Sequence, residues 1–351
     1  MNIKAFKYCL PATLYFLAYL AFTQNNFWVW SPLIFAWVVL PLTELFIRPN
    51  ASNMSKAEEE VAKKDFVYDL LLYVFVVLQF FAVYLFLHSF KATPVSGLYL
   101  AGRITAMGML CGVFGINIGH ELGHRIIRFE QWLAKASLMT SLYMHFFIEH
   151  NKGHHKNVAT PDDPSSARLN EPVYLFYFRT IGMAYLSAWH IASEDLKKKG
   201  KPLLHWQNEM IQAHILQLIF ILLIYYFFGM QILVYYLLAA FMGILLLETV
   251  NYIEHYGLSR KSTAPGKYER AMPHHSWNSN HVLGRLLLFE LSRHSDHHYL
   301  ASRKYQILQH HDGAPQLPTG YPGSMLLAMV PPLWFWVMNR KIQLFNKNEE
   351  K

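Results

Sequence analysis

The sequence is poor in cysteine and in charged residues. Only two of its 351 residues are cysteines, Cys9 and Cys111, and both lie in apolar stretches. Neither a disulfide framework nor a cysteine-ligated metal site is therefore expected. Charged residues make up 15% of the chain and hydrophobic residues 53%, a balance too apolar for an ordinary soluble domain. The net charge of +8 comes from basic residues scattered through loops, so no nucleic-acid-binding surface is predicted.

Long apolar runs account for the low content of charge. A helix that crosses a bilayer needs about 20 mostly apolar residues. Six segments meet or approach this length: 8–23, 27–47, 67–89, 97–118, 212–228 and 231–250. We predict that these are six transmembrane helices, of which the first two and the last two form hairpins with very short turns.

Basic residues indicate the orientation of these helices in the membrane. Most lysines and arginines lie before the first span, in the loop 48–66, or in the segments 119–211 and 251–351. With six spans, all of these regions fall on one side, which the positive-inside rule assigns to the cytoplasm. The prediction is an all-α integral membrane protein, a single domain over 1–351 with cytoplasmic termini. The segments 119–211 and 251–351 are expected to form one cytoplasmic cap.

Histidine is abundant, with 19 residues, and four clusters stand out. A spacing of four residues within a cluster places both side chains on one face of a helix. The clusters comprise His120 and His124; His150, His154 and His155; His255; and His294, His297 and His298.

The number of clustered histidines predicts two metal ions. Neutral imidazole is a good ligand for zinc, copper, iron and nickel. A structural zinc ion takes about four ligands, so nine imidazoles are too many for one ion. His120 and His255 each lie at the end of a predicted span, and we therefore expect the metals just beneath the membrane surface. Any one of these histidines alone would be read as a hydrogen-bonded core residue, but four clusters at ligand spacing favour metal binding.

Polar residues near the clusters are candidates for contacts to the ligand histidines. A carboxylate that holds the second imidazole nitrogen sets the tautomer and orientation of the ring. The candidates are Glu121, Glu149, Asn251, Glu254, Asp296, His275 and His281. A carboxylate that bridges the metals directly is the competing interpretation, and the sequence leaves it open.

Four motifs carry a resemblance to a known family. They are HELGHR at 120–125, EHNKGHH at 149–155, NYIEHYGL at 251–258 and LSRHSDHH at 291–298. In wording and order they closely resemble the membrane alkane 1-monooxygenases, the alkane ω-hydroxylases of hydrocarbon-degrading bacteria. The stretches VATPDDP at 158–164, HSWNSNHV at 275–282 and APQLPTGYPG at 314–323 also look like this family. The resemblance runs from about residue 100 to about residue 340.

The resemblance implies a reaction and its components. It implies six transmembrane helices in a bacterial inner membrane, a di-iron centre, and a hydrophobic substrate channel within the helix bundle. Molecular oxygen would be the co-substrate, rubredoxin the electron donor and rubredoxin reductase its reductant. Carried over residue by residue, the iron ligands are the nine clustered histidines. Trp37 is a candidate for the counterpart of a channel residue, and a lipid-facing or packing tryptophan is the alternative. The expected activity is hydroxylation of alkanes to 1-alkanols.

Other functions are compatible with parts of the pattern. A xylene-type methyl hydroxylase or a fatty-acyl desaturase would share histidine clusters of the same kind. An intramembrane zinc protease would use HELGH with Glu121 as the general base, but it would leave the other three clusters without a role. A metal transporter would place its ligands near the middle of the membrane, whereas these histidines gather at one end of the predicted spans.

Overall fold

The structure is a computed structural model that describes residues 3–91 and 95–349. Helices dominate the described residues, and the longer ones are Ala12–Thr23, Phe66–His88, Gly97–Leu110, Arg128–Met139, Val173–Lys197, Glu209–His255 and Pro331–Glu349. Shorter helices are Ser31–Ile34, Leu40–Phe46, Lys56–Lys64, Asn117–Gly123, Phe146–Glu149, His155–Asn157, Val282–Leu287, His294–Tyr299 and Tyr321–Ala328. Four 3-10 turns (Ile3–Cys9, Phe27–Trp30, Pro273–His275 and Tyr305–Ile307) and three π-helical turns (Phe35–Val39, Cys111–Ile116 and His150–His154) complete the helical elements.

The predicted all-α class is correct apart from one short hairpin. Strands Ser262–Ala264 and Lys267–Tyr268 pair antiparallel. Gly266 lies between them with φ of 68°, a left-handed conformation that costs glycine little. The hairpin is too short to give a hydrophobic alternation that sequence inspection would detect.

Five helices of the described residues are long and apolar enough to cross a membrane: Lys4–Thr23, Phe27–Phe46, Phe66–His88, Gly97–Gly123 and Glu209–His255. The first four coincide with the first four predicted spans. The fifth has 47 residues, which at about 1.5 Å per residue is about twice the thickness of a bilayer core.

The fifth helix is interrupted near its middle. Gly229 has φ of 81° and ψ of 171°, a conformation that breaks the helical hydrogen-bonding pattern and is accessible to glycine. The interruption lies where the sequence analysis predicted a turn between spans 212–228 and 231–250.

The chain divides into two compact units. The first comprises Met1–Phe35, Phe66–Gly153 and Tyr185–Leu247, and the second comprises Ala36–Asp65, His154–Ala184 and Glu248–Lys351. Both units are discontinuous in sequence, because helices that begin in one continue into the other.

Close helix packing in the first unit depends on glycine. A Cβ atom on Gly243 would lie 2.5 Å from the Cβ of Cys111 and 3.0 Å from the backbone nitrogen of Gly112. A Cβ on Gly108 would lie 2.8 Å from Met242. The helices that carry these residues approach so closely that no side chain fits between them, as is common between helices in membranes.

We expect Gly243→Ala to destabilise the protein by about 1–3 kcal/mol, the usual cost of overpacking a core. The measurement is the thermal unfolding temperature of the detergent-solubilised protein. Gly182→Ala is the matched control, because a Cβ there meets nothing within 4 Å and alanine favours the helix. Equal unfolding temperatures for the two variants would contradict the packing argument.

In the second unit, the segment 44–52 contacts the residues that precede the fourth histidine cluster. The guanidinium of Arg293 donates to the carbonyl of Ser52 at 2.8 Å and to that of Leu308 at 2.6 Å. The buried carboxylate of Glu44 accepts from the backbone N–H of Gly284 at 2.7 Å. The contacts of Arg293, which immediately precedes the helix His294–Tyr299, fix the start of the element that carries three of the predicted ligands.

Candidate metal centre

Four buried histidines converge in the second unit: His154, His255, His294 and His298. The Nε2 atom of His298 lies 3.2 Å from that of His154 and 2.9 Å from that of His294. The Nε2 atom of His294 lies 3.2 Å from that of His255. All four ligand nitrogens lie within 4.8 Å of one another. We call this group the tetrad.

The spacing of the tetrad fits one metal ion. Imidazole nitrogens bind a metal at about 2.0–2.1 Å, so neighbouring ligand atoms at octahedral or tetrahedral angles are about 2.8–3.4 Å apart. The observed separations of 2.9–3.2 Å match this range. Nitrogen lone pairs that face each other so closely repel unless a proton or a cation lies among them. The donor set is therefore suited to a transition-metal ion.

Local structure places the four rings. His255 is the last residue of the long helix Glu209–His255. His294 and His298 lie one turn apart on the helix His294–Tyr299, with the four-residue spacing that aligns side chains.

Burial of an imidazole favours its neutral form. The tetrad side chains are at most 6% exposed. Burial lowers the pKa of His298 well below its ordinary value, and neighbouring imidazoles, first of all His294, lower it further. The pKa of His297 is lowered in the same way, by burial and then by His155. A neutral imidazole keeps one lone pair, which is the form that binds a metal.

An aspartate holds the ring of His154. The Nδ1 atom of His154 lies 2.9 Å from a carboxylate oxygen of Asp163, which also accepts from the hydroxyl of Ser166 at 2.6 Å. A carboxylate accepts but cannot donate, so Nδ1 carries the proton and Nε2 presents its lone pair to the tetrad. The sequence analysis did not single out Asp163. The available signal was its place within VATPDDP, one of the stretches that resemble the family.

Glu254 is the predicted carboxylate that reaches the tetrad. One of its oxygens lies 3.2 Å from Nε2 of His294, and the other accepts from the hydroxyl of Tyr321 at 2.6 Å. The contact is to the nitrogen that faces the tetrad rather than to Nδ1. Glu254 is therefore placed as a further metal ligand rather than as a residue that orients the His294 ring through Nδ1.

The other two ligand candidates of the second unit form a pair. The Nε2 atoms of His155 and His297 lie 3.1 Å apart. The ring of His155 also stacks near that of His298, with 4.5 Å between centroids. We call His155 and His297 the pair.

The first unit contains a trio of histidines, formed by His120, His124 and His150. The Nε2 atoms of His124 and His150 lie 3.2 Å apart. Ring centroids are separated by 4.9 Å for His120 and His124 and by 4.4 Å for His120 and His150. The helix Asn117–Gly123 supplies His120, and His124 is its C-terminal cap residue, so the HELGH spacing brings these two rings close together.

The second histidine cluster is divided. His150 belongs to the trio, whereas His154 belongs to the tetrad. The residues His150–His154 form a π-helical turn, a wider turn that is often found at functional sites. The partners of each ring come from other parts of the chain, which spacing alone does not reveal.

Other predicted polar residues have different partners. Glu121 pairs with Arg125 at 2.7 Å, and Arg125 lies 3.3 Å from Asp69. Glu149 accepts from Ser187 at 3.4 Å. Their place around the metals stays a prediction.

Asp296 and Asn251 belong to networks within the second unit. Asp296 accepts from Arg303 at 2.7 Å and lies 2.6 Å from Nε2 of His311. It thereby holds the middle of the ligand helix. Asn251 donates to Glu248 at 3.1 Å, and Thr180 donates to the same carboxylate at 2.9 Å.

His275 forms a further group with Glu269 and His274, and the potential ligand atoms of these three residues lie within 4.8 Å of one another. The backbone N–H of Met272 donates to Nδ1 of His275 at 3.0 Å, so the ring proton lies on Nε2, which faces Glu269 at 3.3 Å. This ring is arranged to donate a hydrogen bond rather than to bind a metal through Nε2.

The two remaining predicted candidates are His281 and Trp37. His281 lies 3.0 Å, through Nδ1, from the hydroxyl of Ser279. Trp37 is partly buried in the π-helical turn Phe35–Val39. Its role in a channel stays a prediction.

Comparisons with known proteins place the chain in a family. The sequence profile described as fatty acid desaturase matches residues 94–323. An alkane 1-monooxygenase of Pseudomonas putida is 37% identical over 337 residues, which covers 91% of this chain and 84% of the relative. One of Acinetobacter baylyi is 41% identical over 307 residues, 87% of this chain and 74% of the relative.

A more distant relative has a different substrate in its name. A xylene/toluene monooxygenase hydroxylase component of Pseudomonas putida is 29% identical over 244 residues, 68% of this chain and 63% of the relative. Identity is thus higher, and coverage greater, for the alkane enzymes. With its histidine groups and its matches along most of its length, the chain belongs to the alkane 1-monooxygenase family of membrane oxidoreductases.

Proposed function

We propose that this protein hydroxylates the terminal carbon of alkanes to give 1-alkanols, with molecular oxygen and two electrons. The observation that carries the proposal is the buried tetrad, four imidazoles whose Nε2 atoms converge at 2.9–3.2 Å. The names of the relatives, alkane 1-monooxygenase, supply the substrate class.

Two iron ions are proposed as the cofactor. The tetrad would hold one of them, and Glu254 is positioned to act as an additional oxygen ligand there. The trio and the pair supply the other five of the nine imidazoles that are proposed to bind the two irons. When bound, the irons supply the activation of oxygen that an unactivated C–H bond requires and that no acid–base side chain can provide.

The residues of the chain would position the reaction. Asp163 directs the Nε2 lone pair of His154 to the metal, and the helix His294–Tyr299 presents three imidazoles from a single short element. Apolar helices would bind the alkane through the burial of methylene groups, each worth about 0.8 kcal/mol. No polar handle is then needed on the substrate, and selectivity for the terminal carbon would come from the shape of the channel, for which Trp37 is the proposed lining residue.

We further propose six transmembrane helices in a bacterial inner membrane, with both termini and the cap in the cytoplasm. The interruption at Gly229 supports a division of the fifth apolar helix into two spans. The positions of lysine and arginine support the orientation. Rubredoxin, reduced by rubredoxin reductase, is the proposed electron donor on the cytoplasmic side.

The decisive experiment combines metal analysis with product analysis. The purified protein is expected to contain two irons per chain. With rubredoxin, its reductase, NADH and oxygen, it is expected to convert octane or hexadecane to the 1-alkanol. A single zinc per chain, with no iron, would refute the proposal.

The same assay separates the related reactions. The relative named for xylene and toluene motivates xylene as a second substrate, and the match to the fatty acid desaturase profile motivates a fatty acyl chain as a third. Products from xylene alone, or a double bond introduced into an acyl chain, would transfer the protein to one of these activities.

A further inference from the structure

A series of aromatic rings leads away from the trio within the first unit. The ring of Phe146 stacks on that of His150 with 4.6 Å between centroids and lies 6.1 Å from that of Tyr143. Tyr143 contacts His145 at 4.3 Å, and His145 contacts Tyr185 at 5.3 Å. Four short steps therefore connect a proposed iron ligand to a tyrosine outside the metal centre.

The hydroxyl of Tyr185 forms a hydrogen bond with a histidine. Its hydroxyl lies 2.9 Å from Nε2 of His214, and Nδ1 of His214 lies 2.6 Å from the carbonyl oxygen of Met210. A carbonyl oxygen can only accept, so Nδ1 carries the ring proton and Nε2 accepts from the phenol. The imidazole is thus held in the tautomer that can take up the proton of Tyr185.

Beyond His214 the series reaches the protein surface. The ring of Trp189 lies 5.6 Å from that of His214, and Trp189 is partly exposed. Tryptophan and tyrosine are the side chains that most readily lose a single electron among those that pack as aromatic rings. The series therefore has redox-active tyrosines, Tyr143 and Tyr185, along its length and a redox-active tryptophan, Trp189, at its partly exposed end.

The tyrosine–histidine contact is what distinguishes the series from ordinary aromatic packing. Packing needs no proton acceptor. Oxidation of a phenol by one electron makes its hydroxyl strongly acidic, so the electron is lost much more easily when a base is within hydrogen-bond reach, about 2.6–3.2 Å. Tyr185 meets this requirement.

We propose that Tyr185 and His214 form a protective redox pair that removes oxidising equivalents from the metal centre when no alkane is bound. This proposal rests on the proposed function, because a strong one-electron oxidant must arise at the metal site. Tyr185 gives one electron, through Tyr143 and Phe146, to that oxidant, and its hydroxyl proton moves to Nε2 of His214. The products are a neutral tyrosyl radical, a protonated His214 and a metal site reduced by one electron. A small one-electron reductant such as ascorbate then returns an electron by way of Trp189, and the proton returns to the phenol.

The test uses the iron-loaded, reduced full-length protein mixed with oxygen in the absence of alkane and frozen rapidly for electron paramagnetic resonance. The wild type is expected to show a tyrosyl radical. Tyr185→Phe, which keeps the ring and removes the hydroxyl, is expected to lose this signal. His214→Gln, which keeps a hydrogen-bond acceptor and removes the basic nitrogen, is expected to lose it as well. Tyr226→Phe is the matched control, because Tyr226 is 80% exposed and lies outside the series.

Turnover gives an independent readout. The initial rate with octane is expected to be the same in Tyr185→Phe and the wild type, because Tyr185 and His214 take no part in hydroxylation. Preincubation with oxygen and electrons but without alkane is expected to inactivate Tyr185→Phe faster. Equal inactivation rates, or an undiminished radical in Tyr185→Phe, would overturn the proposal.

A second form of the experiment distinguishes failure of the Tyr185–His214 proposal from failure of the proposed function. A photogenerated ruthenium(III) polypyridyl oxidant replaces oxygen, so no activation at the metal is required. One outcome is a radical at Tyr185 that depends on His214 in this arm, together with no radical in any variant in the oxygen arm. This outcome would support the Tyr185–His214 proposal and count against the oxygenase assignment. A photo-oxidation signal that is the same in the wild type and Tyr185→Phe would refute the redox role of Tyr185 and His214, irrespective of the metal chemistry.

Discussion

His255→Ala is expected to leave about one iron per chain and to lower alkane hydroxylation by on the order of a thousandfold, because a catalytic metal contributes several kcal/mol to transition-state stabilisation. His255 is fully buried, and its Nε2 atom lies 3.2 Å from that of His294. Alanine removes one of four converging nitrogens and leaves a cavity that water can enter. The measurements are iron content per chain and the rate of 1-octanol formation.

His190→Ala is the control for this substitution. His190 is exposed and belongs to none of the predicted clusters, so this variant is expected to retain two irons and the wild-type rate. An unchanged iron content and rate in His255→Ala would show that the tetrad is not a metal site. Equal losses in both variants would point to general instability of the protein.

Asp163→Asn is expected to weaken iron binding at the tetrad by about 10- to 100-fold, the usual effect of removing a carboxylate behind a ligand histidine. Burial by itself would raise the pKa of Asp163, but the neighbouring His154 and the hydroxyl of Ser166 outweigh it and hold the pKa below its ordinary value. The carboxylate is therefore ionised at neutral pH and accepts the Nδ1 proton of His154. An amide is a weaker acceptor and can also present its NH2 group, which would favour the wrong tautomer of the ring.

The test is loss of iron during titration with a chelator. The matched control is Asp162→Asn, the same change in the adjacent residue, which is exposed and is expected to leave iron retention unchanged. If both variants retain iron as the wild type does, Asp163 does not orient a ligand.

The helical part of the fold could be predicted well from the sequence. Four apolar runs coincide with helices, because the length and hydrophobicity needed to cross a membrane are properties of a continuous segment. The interruption at Gly229 was also predicted in the right place, since a polar or glycine-containing turn between two apolar runs is a local signal. The short hairpin at Ser262–Tyr268 was missed because two short exposed strands have no comparable pattern.

The metal centre could be predicted only in part. Residue type and spacing identified the histidines of the tetrad, the pair and the trio. Spacing did not reveal that His150 and His154 have different partners, because the neighbours of each ring come from segments far away in the sequence. Asp163 was missed for a related reason. An aspartate in a loop has many possible roles, and only its 2.9 Å contact with His154 distinguishes it from the exposed Asp162.

Short-range sequence was sufficient to specify the helices, the ligand type and the family, since hydrophobic runs, imidazole chemistry and contiguous motifs are all written in neighbouring residues. Folding was needed to choose which imidazoles meet, which carboxylate supports each of them and which tyrosine receives a proton acceptor. These choices depend on nitrogen–nitrogen and nitrogen–oxygen distances of about 3 Å, the range over which hydrogen bonds and metal ligation act. Such distances between residues as remote as His154 and His298 arise only when the chain is packed.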